Sequence, residues 1–335
     1  VTSPPAASDP APITTQAIAT ARQLLAGSTV CLLAREQPSP IEAAELAGFA
    51  QTLPGCDVTV NEVRFADVHE LYRPAAAQAL SAAAVVVKFT HGPLNRSGLV
   101  PAVLDTLGAR RAGHPPSVDI LSQRKSLIKE LMRREQVPTL DYLLLDGGVP
   151  VGAQVAQLAA RTGATAFVVK PDDGNASEGL HWAGSVEDAA RIVHDSGGQL
   201  VVEPYRRGRI ITVGAVTLLG QVRTVAPLEY LLDGDLVMDA DWKRNPKRAP
   251  ARLEPSVDAE VRTYAARVHR AVGARGLSRT DFIVGPDGVT ALEINTNIGL
   301  GPGHDIAAAF DATGLDYDDL VICQTASGLP LPGQR

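Results

Sequence analysis

Residues 279–295, Arg279-Thr-Asp281-Phe-Ile-Val-Gly-Pro-Asp-Gly-Val-Thr-Ala-Leu-Glu293-Ile-Asn295, constrain the fold more than any other stretch of the chain. Two strand-forming runs flank Pro286-Asp287-Gly288, which suits a three-residue hairpin loop: Pro opens a type I turn, and Gly follows in the left-handed region as a bulge. With that loop Gly285 opposes Val289, Asp281 opposes Glu293, and Arg279 opposes Asn295. Alternation then puts the four polar side chains on one face and Phe282, Leu292 and Ile294 on the other. Two carboxylates directly across a ladder repel. A divalent cation between them removes that cost, and an all-oxygen donor set suits Mg²⁺ better than Zn²⁺. The competing reading is a solvated strand face on which Arg279 neutralises both acids.

Upstream, apolar positions switch repeatedly between helical and strand periods. Helices are expected at 14–26, 40–52, 73–82 and 98–107, with strands at 29–34, 57–65 and 83–89 between them. Such alternation marks a parallel sheet covered by helices, and the loop after Phe89, Thr90-His91-Gly92-Pro93, becomes a candidate site wall beyond a strand end. Past Gly113-His114-Pro115-Pro116 the pattern predicts helices at 124–136, 151–161 and 185–196 with strands near 140–145, 167–170 and 199–205. The remainder reads as a hairpin pivoting on Gly220-Gln221, a basic loop at 239–252, a long helix at 256–272 and the hairpin above.

Composition excludes several classes. At 335 residues, about two domains are expected by length alone. With 45% hydrophobic and 20% charged residues, global disorder is excluded. No apolar run approaches the ~18 residues of a membrane span. A net charge of −6 and 4% aromatics leave nucleic acid without support as a partner. Three separated cysteines without CxxC suit a reducing compartment, and Cys31 and Cys323 read as core. Residues 1–13 lack signal-peptide character and are expected to form a disordered tail, with the chain in the cytoplasm.

Two further features bear on chemistry. Lys170 ends the strand FVVK and is followed by Pro171-Asp-Asp-Gly174-Asn-Ala-Ser177-Glu-Gly179, a small polar loop whose N–H groups can cradle phosphate; a plain surface turn is the alternative. Lys125 lies in Ser122-Gln-Arg-Lys125 on an amphipathic helix, where a solvated lysine is the ordinary outcome.

Taken in order, HGPLNRSGLVPAVLDTLG, SQRK, FVVKP with its glycine loop, VEPY and RTDF…LEINTNIG resemble the ATP-grasp superfamily, and within it D-alanine–D-alanine ligases and related carboxylate–amine ligases. The resemblance covers roughly residues 85–326. It implies an α/β fold of three lobes: an N-terminal parallel-sheet domain at 14–115, a central lobe at 116–204 and a C-terminal lobe at 205–335, with ATP between the last two. It implies an ADP-producing ligase that forms an amide or peptide bond through an acyl phosphate. Lys125, Lys170 and Ser177 would meet phosphate, with Lys243 on a mobile loop. Glu203, Pro204, Tyr205 and Arg206 would meet adenine. Asp281, Glu293 and Asn295 would hold two Mg²⁺ ions, with Mn²⁺ as the alternative metal. Arg279 and the Gly299 N–H would stabilise the oxyanion. A homodimer is also implied.

The chain departs from that pattern where substrates meet. The donor-binding Gly-Gly-x-Ser-x-Glu signature has no match; Leu33-Ala34-Arg35-Glu36-Gln37 stands there, with Glu36 read as a solvated loop acid. No acid stands at 208–210 to meet ribose, the tyrosine after the loop lysine is Arg244, and Ile298-Gly299 replaces Pro-Gly. Gly301-Pro302-Gly303-His304 stands where a serine would hold the acceptor's carboxylate. His304 is a candidate base or carboxylate ligand, against a helix-start histidine. His91 and Gly92 are candidate substrate contacts, against a histidine that fixes the turn. The function expected is an ATP-dependent ligase of a carboxylate, amino-acid-like donor and an amine in specialised natural-product, for example antibiotic, biosynthesis. The alternatives are intramolecular cyclisation and a non-catalytic nucleotide-binding protein. Loop 239–252 is expected to act as a lid.

Overall fold

The computed structural model describes residues 10–146, 151–174, 178–232 and 247–330. The first third runs β1 (Ala11–Pro12), α1 (Thr15–Leu25), β2 (Thr29–Arg35), α2 (Pro40–Thr52), β3 (Thr59–Phe65), α3 (Pro74–Ala82), β4 (Val85–Phe89), α4 (Pro93–Arg96) and α5 (Leu99–Thr106). The middle runs α6 (Pro116–Leu121), α7 (Lys125–Arg134), β5 (Leu143–Asp146), α8 (Gly152–Thr162), β6 (Phe167–Pro171), β7 (His181–Ala183), α9 (Val186–Asp195) and β8 (Gln199–Pro204). The last third runs β9 (Arg209–Leu218), β10 (Gln221–Thr224), β11 (Leu228–Tyr230), β12 (Arg248–Pro250), α10 (Pro255–Ala271), β13 (Ser278–Gly285), β14 (Gly288–Asn295), α11 (Asp305–Thr313) and α12 (Tyr317–Ala326).

Three sheets result. β3-β2-β4 is parallel, as the apolar alternation predicts, and its middle strand β2 is buried along most of its length. β5-β8-β6-β7 is antiparallel throughout. The third sheet is organised by β9, which pairs antiparallel with β10 and β11 on one side and β13 on the other. Helix ends follow local chemistry. Ser39 and Glu42 form a capping box on α2, with Pro40 at its first turn, and Gly163 closes α8 at φ 70°.

Several local expectations change. Ala11–Pro12, expected inside a disordered tail, pair parallel with β10, and Ile13 donates to the Thr224 carbonyl as its side chain enters the core. The β9–β10 turn is Leu219-Gly220, one residue earlier than read, because both adopt positive φ (52° and 77°) and match the twist of a tight hairpin. Within the basic stretch 239–252, Arg248–Pro250 form a strand against β11, while 239–246 lie outside the described residues. The β13–β14 loop has two residues: Gly285 pairs with Gly288, and the bulge falls farther along, at the Asp281/Phe282 step. One extra residue is accommodated either way, so Asp281↔Glu293 and Arg279↔Asn295 stand as read. Leu292 does not: the displaced bulge sends it to a small cluster with Ile210, Tyr230 and Ile283, while Phe282 and Ile294 enter the main core of this sheet.

The cores do not follow the three sheets one to one. Residues of the first third (Ile18, Leu32, Phe49, Val87) share a single core with Val216, Phe310 and Leu320 of the last third. Phe49 meets Phe89 edge to face within it at 5.0 Å. α6 and α7 pack on the C-terminal sheet, with Val118, Ile128 and Met132 against Ile211, Phe282 and Ile294. The antiparallel sheet has its own core of Val155, Leu158, Phe167 and Val202. Each fully buried side chain of this size contributes about 1.5–3 kcal/mol. Cys31, Cys56 and Cys323 are all buried and unbridged, and burial pushes the Cys31 thiol up to about 11. Among the described residues no helix is long and apolar enough to cross a membrane.

Candidate active site

The ladder β9–β13–β14 assembles the acidic face. Asp281, 1% exposed, accepts from Thr212 Oγ1 at 2.7 Å, because the register sets Thr212 beside it on β9. Arg279 reaches it through Nε (3.1 Å) and Nη2 (3.2 Å). Asn295 Nδ2 bridges Asp281 Oδ2 and Glu293 Oε1, both at 3.2 Å. The third guanidinium nitrogen of Arg279, Nη1, donates to Asp305 Oδ2 at 2.6 Å, and the guanidinium lies 5.8 Å over the Tyr230 ring. Burial works against the Arg279 charge, but Asp281, with Tyr230, Asp305 and Glu293, outweighs it and holds the group above the ordinary arginine range. Asp281 is buried and Arg279, Glu293 and Asn295 are half-buried, so the four groups form one bonded cluster in which Arg279 pairs with Asp281, as the competing reading expects, on a face that is not fully solvated.

The fit of this cluster to Mg²⁺ rests on its donor set. Among the described residues no three His, Cys, Asp or Glu side chains form a metal cage. Asp281 and Glu293 offer two carboxylates joined through the Asn295 amide nitrogen, and turning that amide over would bring its oxygen to a cation between them. Mg²⁺ characteristically takes one or two carboxylates and completes its shell with phosphate and water, so these residues suit it.

Facing this cluster, β6, β8 and α7 build a cationic cradle. Glu203, 2% exposed, is gripped by Lys129 Nζ at 2.5 Å and Lys170 Nζ at 2.8 Å. Burial alone would raise the Glu203 carboxyl; the two ammonium groups reverse that and hold it below the ordinary range. Lys125 heads α7, with its backbone N–H on the Asp172 carbonyl and its Nζ on the Gly174 carbonyl at 2.8 Å, at the base of the glycine loop. Burial lowers the Lys125 ammonium, with Glu293 acting against that shift and Lys170 adding to it, so the cradle and the acidic cluster sense each other's charge. Beyond β8, the Tyr205 N–H is taken by the Ala166 carbonyl and its ring meets Trp182 edge to face. Arg206 turns its guanidinium to Thr290 Oγ1 at 2.7 Å. Ser177 and Lys243 lie outside the described residues, as does Arg244.

A cleft of about 260 Å³ opens on the other side of Arg279, lined by His91, Asn295, Gly299, His304 and Asp305 among others. His91 is held twice: its N–H donates to Glu42 Oε1 at 2.7 Å, and Nε2 lies 2.8 Å from Glu45 Oε2. Gly92, at φ 70° and ψ −148°, occupies backbone space that a side chain would resist, and this turns the chain after His91. Glu45 also accepts from the Leu300 N–H at 2.7 Å, tying the first third to the loop that carries Gly299. His304 precedes α11 without capping it by its side chain; its ring packs over Gly299, where an added Cβ would meet Nδ1 at 2.4 Å. Gly299→Ala is therefore expected to lower turnover about a hundredfold by moving this loop, and Gly299→Ala/His304→Ala to recover part of it. Steady-state ADP release of the two variants is the check.

Reading the sequence brought Arg279, Asp281, Glu293, Asn295, Gly299, His304 and His91 to one face, and Lys125, Lys170 and Glu203 to the other. It missed Lys129, Glu42, Glu45 and Asp305, and had Arg248 only as part of the basic loop 239–252. Lys129 sits four residues after Lys125, on the same helix face, which was a usable signal. Glu42 and Glu45 lie on the helix expected at 40–52 and were not singled out, while Glu36, read as a solvated loop acid, is exposed.

A split cradle of lysines and a facing carboxylate–amide cluster, set across antiparallel sheets, define an ATP-grasp enzyme. Residues 131–323 match the family model for the D-ala D-ala ligase C-terminus. The D-alanine–D-alanine ligase of Oleidesulfovibrio alaskensis is 32% identical, over 73% of this chain and 79% of that protein. D-alanyl-alanine synthetase A from Vibrio cholerae superposes with TM-score 0.72 at 20% identity, over 89% of this chain and 98% of that one. The Bacillus anthracis D-alanine–D-alanine ligase complexed with ATP gives 0.69 at 16%, over 89% and 96%. The chain belongs to the D-alanine–D-alanine ligase family, and is an ATP-dependent carbon–nitrogen ligase.

Proposed function

We propose that the chain joins an amino-acid-like carboxylate to an amine other than the D-alanine pair its relatives are named for, in a specialised biosynthetic setting. The observation that carries this reading is Arg279. It stands between the metal-type cluster and a substrate-sized cleft whose walls include Ile298 and His304, two positions that depart from the family pattern. Neither intramolecular cyclisation nor a non-catalytic role gains support from the comparisons.

In this reading Lys125, Lys129 and Lys170 offset phosphate charge, and Glu203 with the 204–206 backbone receives the base. Bound at Asp281, Glu293 and Asn295, Mg²⁺ would neutralise phosphate oxygens and align them, two ions being the expected number. The donor carboxylate attacks the γ-phosphorus of ATP, ADP leaves, and an acyl phosphate forms. Arg279 and the Gly299 N–H face the acyl oxygen, whose charge grows as the amine adds. Glu42 and Glu45 keep His91 oriented toward the donor side.

The reading is tested by incubating the chain with ATP, Mg²⁺, hydroxylamine and single amino acids of either configuration. A donor-dependent hydroxamate, formed with equal ADP, is expected from at least one. Hydroxamate from no amino acid sinks the amino-acid-like donor, and preferred conversion of D-alanine to its dipeptide sinks the departure from the relatives' named reaction.

A further inference from the structure

Asp305 is placed unusually for a cleft that must admit an amine. Its two carboxylate oxygens are fully engaged: Oδ2 by Arg279 Nη1 at 2.6 Å and by the Tyr230 hydroxyl at 2.6 Å, Oδ1 by Arg248 Nη1 at 3.1 Å. Arg248 is locked further by its bond to the Gly303 carbonyl, and β12 holds it there by pairing with β11. Burial raises the Tyr230 hydroxyl well above its ordinary range, with Asp281 and Asp305 adding to the shift, so it stays a donor. Asp305 is also the first residue of α11, where helix N–H groups and dipole attract negative charge.

The consequence concerns what else can bind. Arg279 is the one Lys or Arg among the described residues lining the cleft; three of its five N–H groups go to Asp281 and Asp305, and the two left, one on each Nη, are those the acyl oxygen takes in the ligase reading. Among the described residues, a carboxylate entering with the acceptor would find the cleft's arginine already paired, and would meet the charge of Asp305 instead. We infer that Asp305 supplies from within the chain the carboxylate that an amino-acid acceptor would bring, so the enzyme takes an amine lacking an α-carboxylate, such as an amino-acid amide or a simple alkylamine. This rests on the ligase reading above. The step balances: the amine nitrogen bonds to the acyl carbon, the acyl–oxygen bond to phosphate breaks, and the proton shed by nitrogen leaves on phosphate.

The experiment takes the donor found by hydroxamate trapping and offers alanine or alaninamide as acceptor, with kcat/KM counted per unprotonated amine. The wild-type chain is expected to favour alaninamide about tenfold or more, and Asp305→Asn to shrink that ratio about tenfold. Comparing ratios cancels the intrinsic reactivity of the two amines. Equal or better use of alanine by the wild type, or an unchanged ratio in Asp305→Asn, overturns the inference while leaving the ligase reading intact. Should the variant not fold, the wild-type ratio decides. Absence of hydroxamate from every donor brings down the ligase reading, and this inference with it.

Discussion

Asp281→Asn is expected to reduce ADP release about a thousandfold or more, at any Mg²⁺ concentration, without unfolding the chain. The carboxylate serves three partners at once: Thr212, Asn295 and two nitrogens of Arg279. An amide of the same shape keeps an oxygen for one or two of them but presents N–H to the rest. It also removes the charge that holds Arg279 in register and that a divalent cation would require. Circular dichroism should match the wild type, while coupled-enzyme ADP release should fall to background. Wild-type turnover at low Mg²⁺ would refute the assignment of Asp281 as a metal ligand.

The second large effect is on stability. Glu203→Ala leaves Lys129 (0% exposed) and Lys170 buried beside each other without the carboxylate that pairs with both, and with only the more distant charge of Glu293 acting on them among the described residues. Removing one member of a buried charge set typically costs about 3–5 kcal/mol, because the survivors stay desolvated. Equilibrium denaturation should show this loss, and Glu203→Ala/Lys129→Met should recover part of it. The pH dependence has a definite sign. The Glu203 carboxyl is held low in the folded state, so its contribution is fully present above the unfolded carboxyl pKa of ~4.3 and is lost as pH falls through the folded value. Stability of the wild type should therefore drop below about pH 4 more steeply than that of the double variant.

How much of this was legible beforehand depended on sequence distance. The β13–β14 register could be read because turn chemistry and alternation are local, and it survived a misplaced bulge because two opposed pairs depend only on the total count of residues between them. Leu292 could not survive it, since a bulge reverses every side chain on one side of itself. The Glu203–Lys129–Lys170 set was half read: β6 and β8 pointed to two members, but choosing Lys129 over Lys125 requires knowing which turn of α7 faces the sheet. The pairing of Asp305 with Arg248 could not be read at all. They lie 57 residues apart in sequence, and only the pairing of β12 with β11 brings the guanidinium to the start of α11. The Glu45 link from α2 to the Leu300 N–H spans 255 residues and belongs to the same class.

The arrangement of cores described above has a topological meaning. Since the first and last thirds share one core and α6 and α7 join the C-terminal sheet, residues from about 143 to 202 are an insertion into a discontinuous domain. The chain enters that insertion near Thr139, which is pinned to the Ala291 carbonyl at 2.8 Å, and leaves it after Tyr205, pinned to Ala166. The substrate cleft thus lies within one continuous body, whereas the phosphate cradle straddles two. Substitutions that reshape the cleft disturb a shared interior and must be compensated there, while the insertion can vary with little cost to substrate choice.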